Sequence, residues 1–424
     1  MHSRIVFRSG FAVLISATLS VASRAADAQW LPRARPEDVG ISSARLQELS
    51  DSLRATWIDA GRIPGLVVVV ARHGKLAYLD TLGDMDVTKP MRPDALFHIA
   101  SMSKPVTAAA VMQLVDRGQL HLTDPVSKYI PAFAHMKVVV GRDSTGIRVM
   151  NAVSHITIEQ LLVHTSGLTY AGKRILDRSP TIADFADSLP SLPLAFEPGT
   201  DWRYSVASDL LGRVVEVASG TPFDLYLKQN VFQPLSMRET GFVVPESLDT
   251  RVVRMYARDA QRRLVPGGTI ALPAHRPGAT LFAGGQGLIS TPADYLRFAQ
   301  MLLNGGELNG HRVLERRSAQ AMMTNHLPAS VVKRVQEMIS EWDIGTYGFG
   351  YGGAVRIDSL NPPGGRGTYE WGGVYSTTFW VDPKYDLVVM AWTQLNNGTS
   401  VFETRLDNDV HRLVYRAITD IVPH

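Results

Sequence analysis

The chain has 424 residues, 45% hydrophobic and 20% charged, with 43 Lys and Arg against 40 Asp and Glu and a formal net charge of +3. This is the composition of a soluble globular protein, and the length is too great for one compact core, so about two subdomains are expected. No Lys/Arg run or basic–aromatic alternation points to nucleic acid as a partner, and the absence of cysteine excludes thiolate metal sites, disulfides, a cysteine nucleophile and a lipid anchor on cysteine.

Residues 1–28 read as a secretory signal. Arg4 and Arg8 form a positive start, Phe11 to Ala22 a short apolar stretch, and Ala26-Asp27-Ala28 a small-x-small cleavage site. Ser16, Thr18 and Ser20 interrupt the stretch, which falls short of the roughly 18 apolar residues that a membrane anchor needs. Cleavage leaves Gln29 or a near neighbour first and 40 basic against 39 acidic residues. A periplasmic or secreted protein without stable membrane insertion is expected.

Ile41 to Ala60 reads as a helix capped by Ser42 or Ser43, with Leu46, Leu49, Leu53 and Trp57 on one face. Leu66–Arg72 and Lys75–Leu82 read as a hairpin turning at His73-Gly74. Helices are expected at Ile158–Val163, Ser208–Ser219, Phe223–Val231 and Pro292–Asn304. Thr368–Val381 and Tyr385–Gln394 read as two strands joined at Asp382-Pro383-Lys384, followed by a helix from about Phe402 to Ile421. Strands at both ends and helices between predict an α+β fold, an antiparallel sheet built from both termini and flanked by helices. The sheet subdomain would comprise residues 29–118 and 281–424, and a mainly helical subdomain residues 119–280.

The chemistry starts at Ser101-Met102-Ser103-Lys104. An S-x-x-K pair places hydroxyl and amine on one face of a helix. Pro105 is tolerated in a first turn, Val106 to Val115 is apolar, and Gly118 is a C-cap. Ser101 would then sit at a helix N-terminus, whose free amides suit a developing oxyanion. The same dipole, with burial, disfavours a protonated amine at Lys104 and suits it to act as a base. Ser330-Val331-Val332-Lys333 repeats the pattern, but it begins no obvious apolar helix and has no companion motif, so it reads as incidental.

The companions of Ser101 and Lys104 are Pro198-Gly199-Thr200-Asp201-Trp202-Arg203-Tyr204-Ser205, with a tyrosine at a loop-to-helix junction, His164-Thr165-Ser166-Gly167, and Trp371-Gly372-Gly373, whose glycines admit close approach to the backbone. With Phe97 to Lys104, these segments resemble the serine β-lactamase and penicillin-binding-protein superfamily in its class C-like branch, and within it the family VIII carboxylesterases. The resemblance runs from Pro64-Gly65 to Val381-Asp382-Pro383. It implies a β-lactamase-like fold and an acyl-enzyme on Ser101, with Lys104 and Tyr204 as the general base. It also implies an oxyanion hole from the backbone N–H groups of Ser101 and Val374, and substrate contacts at Trp371, Gly372, Gly373 and Val206.

Two departures bear on substrate. Val206 stands where the tyrosine motif usually ends in Asn, and Trp371 where β-lactamases carry a cation for the substrate carboxylate. A neutral, apolar, short-chain carboxylic ester is therefore expected as the small-molecule substrate. A β-lactamase, a D-Ala-D-Ala peptidase or other amide hydrolase, and an acylated sensor without turnover are the alternatives. The chain has 12 histidines but no H-E-x-x-H pair and no G-x-S-x-G elbow, so neither a metal nor another cofactor is expected. His98 and His164 read as core residues that hydrogen-bond backbone, Tyr347 and Tyr351 as strand aromatics, and Gly284–Gly287 as the lead into a strand near the site.

Overall fold

The computed structural model describes residues 29–144, 146–267, 277–338, 346–358, 364–396 and 406–420; the signal-like residues 1–28 lie outside them. Three sheet strands come from the N-terminal part, β1 Gly65–Arg72, β2 Lys75–Asp86 and β3 Lys89–Pro90. Five come from the C-terminal part, β4 Tyr347–Phe349, β5 Ala354–Arg356, β6 Tyr369–Gly373, β7 Thr377–Asp382 and β8 Leu387–Trp392. They join in the order β4-β5-β6-β7-β8-β1-β2-β3, with antiparallel neighbours. The first hairpin turns at His73 (φ +53) and Gly74 (φ +70), both left-handed as a two-residue turn requires.

β1 explains the layering. All eight of its residues are buried, because alternate side chains feed two different cores. Val67, Val69 and Ala71 join one cluster, and Leu66, Val68 and Val70 the other. The second core is roofed by α1 Ser43–Leu53 and the C-terminal helix, labelled below. Ser42 caps α1 by accepting from the Arg45 amide, and one wide turn, Arg54–Ile58, carries Trp57 onto the same core. The first core holds α2 Ser103–Asp116, α3 Ala207–Ser219 and α4 Pro292–Leu303. Chain order ends with α5 Leu406–Ala417, the helix that packs on α1.

Three expectations are corrected. Thr368–Val381 is not one strand: the chain turns back at Val374–Ser376, with Ser376 at φ +65 and its N–H donating to the Gly373 carbonyl, which separates β6 from β7. Residues 119–280 are less purely helical than expected. The β-branched run at Val138–Val140 forms a hairpin, Lys137–Asp143 with Gly146–Asn151. Tyr256–Arg258 and Leu264–Pro266 form a small sheet with Leu395–Asn396. Ser330 and Lys333 do lie on a helix, Ala329–Met338, which buries Val331 and Val335 and leaves both motif residues exposed. No gap separates the subdomains, since Met102 and Val106 share one core with Leu210 and Val214.

Candidate active site

The site is assembled where the N-terminal end of α2 meets β6. Phe97–His98 pairs antiparallel with Ile289–Ser290, and the chain must then swing sharply into α2. Ala100 makes the swing at φ +44, and Ala100–Met102 forms a tight helical turn that presents Ser101. His164 (φ +59) and Ser376 (φ +65) also take left-handed conformations. Each such residue stores on the order of 1–3 kcal/mol, and such strain gathers at functional sites.

Lys104, the second residue of α2, is 1% exposed. Its Nζ lies 3.1 Å from Ser101 Oγ and 2.7 Å from the Gly285 carbonyl oxygen, and 4.7 Å from the centre of the Tyr204 ring. A carbonyl can only accept, so one amine proton points at Gly285. The same nitrogen lies within hydrogen-bond reach of the Ser101 hydroxyl. Tyr204, just ahead of α3, accepts a hydrogen bond from Trp371 Nε1 at 3.1 Å. An indole N–H only donates, which frees the phenol's own proton to point elsewhere.

The structure thus brings Ser101, Lys104, Tyr204 and Trp371 together. Trp371 is 3% exposed, and its ring packs on Tyr204 and Phe349, each at 5.2 Å between centroids. Both its N–H and its ring meet Tyr204. Gly373 is a close-approach glycine of an unexpected kind: a Cβ there would stand 2.4 Å from the Ile99 carbonyl. The approach is made by the nucleophile segment itself, and it sets the Gly373-Val374 peptide beside Ser101. Gly372 pairs with Thr378 in the same ladder. Val374 is 38% exposed, at the head of the turn. Val206 departs from its expected place at the substrate. It is fully buried and packs against Gly172, where a Cβ would stand 2.8 Å from Val206 Cγ2.

His164 is fully buried, but its ring Nδ1 pairs with the Ser205 hydroxyl at 3.2 Å and not with backbone. Burial first, and then the charge of Lys104, hold its pKa well below the ordinary value, so it stays neutral as packing for Tyr204, 4.8 Å away between centroids. His98 is also buried, and its backbone is held by the Gln394 side chain. Tyr347 lies on β4 as a strand aromatic. Tyr351 follows that strand, donating to Glu159 Oε1 at 2.8 Å and stacking on His326.

Two site residues escaped the sequence. The Tyr170 hydroxyl interacts with both the Tyr204 phenol and the Ser101 hydroxyl, although 40% of the residue is exposed. Desolvation of that hydroxyl, and then the nearby Tyr204 and Asp209, raise its pKa well above the ordinary tyrosine range. Asp209, on the first turn of α3 and 2% exposed, accepts from the Gly285 amide at 2.8 Å. An acid five residues after Tyr204, at the start of a mostly apolar helix, was the available signal for Asp209. Tyr170 had none, because it reaches Ser101 only through the fold. Among the described residues no group of three or more His, Asp or Glu is arranged to hold a metal ion.

Comparison with known proteins gives the same architecture. The Beta-lactamase family profile matches residues 44–413. Protein Rv1367c of Mycobacterium tuberculosis is 37% identical over 352 residues, covering 78% of this chain and 86% of that one. Esterase EstB of Burkholderia gladioli is 33% identical over 391 residues, covering 84% of this chain and 93% of the esterase. Among solved structures, EstCE1, described as a hydrolase with promiscuous acyltransferase activity, superposes with a TM-score of 0.72 at 28% identity, covering 88% of this chain and 99% of its own.

Proposed function

The chain belongs to the Beta-lactamase family, and from that membership and the geometry of its site we propose a serine hydrolase that cleaves neutral, short-chain carboxylic esters through an acyl-enzyme on Ser101. The observation that carries this reading is the 3.1 Å contact of Lys104 Nζ with Ser101 Oγ, with the same nitrogen anchored 2.7 Å from the Gly285 carbonyl. A nucleophile needs a base within hydrogen-bond reach and a third group that orients the base; Ser101, Lys104 and Gly285 meet that requirement. Esterase EstB, similar over most of the chain, supports the ester substrate.

In this mechanism Ser101 Oγ attacks the acyl carbon as its proton passes to Lys104 or Tyr204. The amides of Ser101 and Val374 hold the oxyanion. Collapse of the tetrahedral adduct expels the alcohol, which takes up that proton. Water then attacks the acyl-enzyme, again giving its proton to the base, and the acid leaves as Ser101 is reprotonated. Tyr170 borders both the nucleophile and the phenol, so it is suited to guide the leaving alcohol. The buried Trp371, its N–H already engaged by Tyr204, offers no cation to a substrate carboxylate, which weighs against penicillin-like acids. The proposal also takes residues 1–28 as a cleaved export signal, tested by N-terminal sequencing that starts at or near Gln29. Among the described residues no helix is long and apolar enough to cross a membrane.

The test is Ser101→Ala beside the native protein on p-nitrophenyl acetate, p-nitrophenyl butyrate and nitrocefin. Native turnover of the esters, lost by about 10³-fold or more in the variant, is expected. Fast nitrocefin cleavage without ester cleavage overturns the reading.

A further inference from the structure

We propose that Asp209 is a positioning residue for the base: its buried carboxylate fixes the Gly284-Gly285 segment that orients Lys104 on Ser101, and its negative charge acts on the site across that segment. The inference rests on Lys104 serving Ser101.

The two glycines are stitched at three consecutive groups. Thr107 Oγ1, one turn beyond Lys104 on α2, donates to the Gly284 carbonyl at 2.7 Å. The Gly285 amide donates to Asp209 Oδ1 at 2.8 Å, and the Gly285 carbonyl accepts from Lys104 Nζ at 2.7 Å. Side chains are excluded at both positions, since a Cβ on Gly284 would stand 2.6 Å from the Ser208 carbonyl and one on Gly285 2.6 Å from Asp209 Oδ2. One residue therefore carries the pull of Asp209 on its amide and that of Lys104 on its carbonyl. If Asp209 releases the amide, the carbonyl that aims the amine loses its reference to α3.

The carboxylate is otherwise poorly compensated. It is 2% exposed, and among the described residues no ion pair within 4.0 Å reaches it. Lys104 faces it from α2, Lys173 and Asp177 from residues 173–177, and Tyr170 from the site. Burial pushes its pKa up to about 6, with the charge of Lys104 first among the groups that pull it back down. The two side chains therefore meet as opposite charges across the Gly284-Gly285 segment. The groups facing Lys104 are Asp209, Tyr204 from the loop before α3, and neutral His164. Asp209 is the nearby carboxylate that feels its charge most directly.

The acceptor and the charge are separable. Asp209→Asn keeps an oxygen for the Gly285 amide but removes the charge, whereas Asp209→Ala removes both. For Asp209→Asn, the acid limb of kcat/KM on p-nitrophenyl butyrate should move to lower pH by about half a unit to one unit, with kcat on the plateau within about threefold of native. For Asp209→Ala, kcat should fall about 10- to 100-fold with KM little changed, and Ser101 should be labelled by a fluorophosphonate more slowly by the same factor. An unshifted acid limb in Asp209→Asn overturns the inference, as does native kcat in Asp209→Ala. If Asp209→Ala fails to fold by circular dichroism, the Asp209→Asn profile decides alone. Should the native protein cleave no ester, the pH dependence of fluorophosphonate labelling supplies the same limb. Full activity in Lys104→Ala sinks the underlying reading, whereas an inactive Lys104→Ala beside an unshifted Asp209→Asn sinks this inference alone.

Discussion

Tyr204 is held by its aromatic neighbours. Its oxygen accepts from the Trp371 indole, and its ring is bounded by Trp371, His164 and Tyr170. Trp371→Phe keeps most of the packing and removes the donor. A hydrogen bond of this kind is worth about 0.5–1.5 kcal/mol net, so kcat on p-nitrophenyl butyrate should drop about 3- to 10-fold, with KM within about twofold. An unchanged kcat would show that packing alone places the phenol. Tyr170→Phe tests the hydroxyl that the sequence did not announce. A loss of about tenfold in kcat is expected, read as steady-state turnover, with thermal stability little altered because the ring stays. The motif residues were legible because Ser101 and Lys104 lie three apart where a tight turn runs into α2, and Tyr204 sits in a recognisable segment. Tyr170 and Asp209 were not, since each meets its partner only after remote elements have packed. Val206 was misjudged for a related reason: a motif position says which residue is present, not which way its side chain faces.

Among the elements, β6 and its following turn join the sheet to the nucleophile. Gly373 lies so near the Ile99 carbonyl that a methyl group would stand 2.4 Å from it, well inside contact distance. Gly373→Ala must push β6 away from the Ser101 turn or twist that turn. Overpacking of this kind costs about 1–3 kcal/mol, so the melting temperature of a chain this long should fall by roughly 1–4 °C. Activity should fall further than stability explains, by about 100-fold, because the Val374 amide moves with the strand. Calorimetry and turnover on the same preparation check both. The hairpin β1–β2 was readable from alternation and its His73-Gly74 turn. The break between β6 and β7 was hidden, because a β-rich run such as Thr368–Val381 carries no local mark of Ser376 adopting φ +65. Only the pairing of Gly373 with Thr377 forces that turn.

Over the whole molecule, acid groups buried behind the sheet make stability depend on pH. Desolvation pushes the Glu370 pKa up to about 8 and that of Asp407 up to about 7. The native state therefore holds protons that the unfolded chain releases near pH 4 to 5. For a group raised in this way, the stability is present below the unfolded pKa and is lost as pH climbs to the folded one. Melting temperature should thus decline between about pH 5 and pH 8, and Glu370→Gln should flatten the decline. An equally steep decline in the variant would mean that Glu370 does not supply it. The α+β class was visible in the order of patterns along the chain, but the continuity of one core through residues 119–280 was not, since it comes from α2 and α3 packing together.

The order of strands also governs when the protein can form at all. β1 is made among the first hundred residues, yet its partner on one side is β8, Leu387–Trp392, among the last. Until β8 has been made, the central valine-rich strand has one open edge and the Ser101 turn lacks its complete sheet. Protease protection of stalled nascent chains should accordingly appear late and all at once, after α5 has emerged.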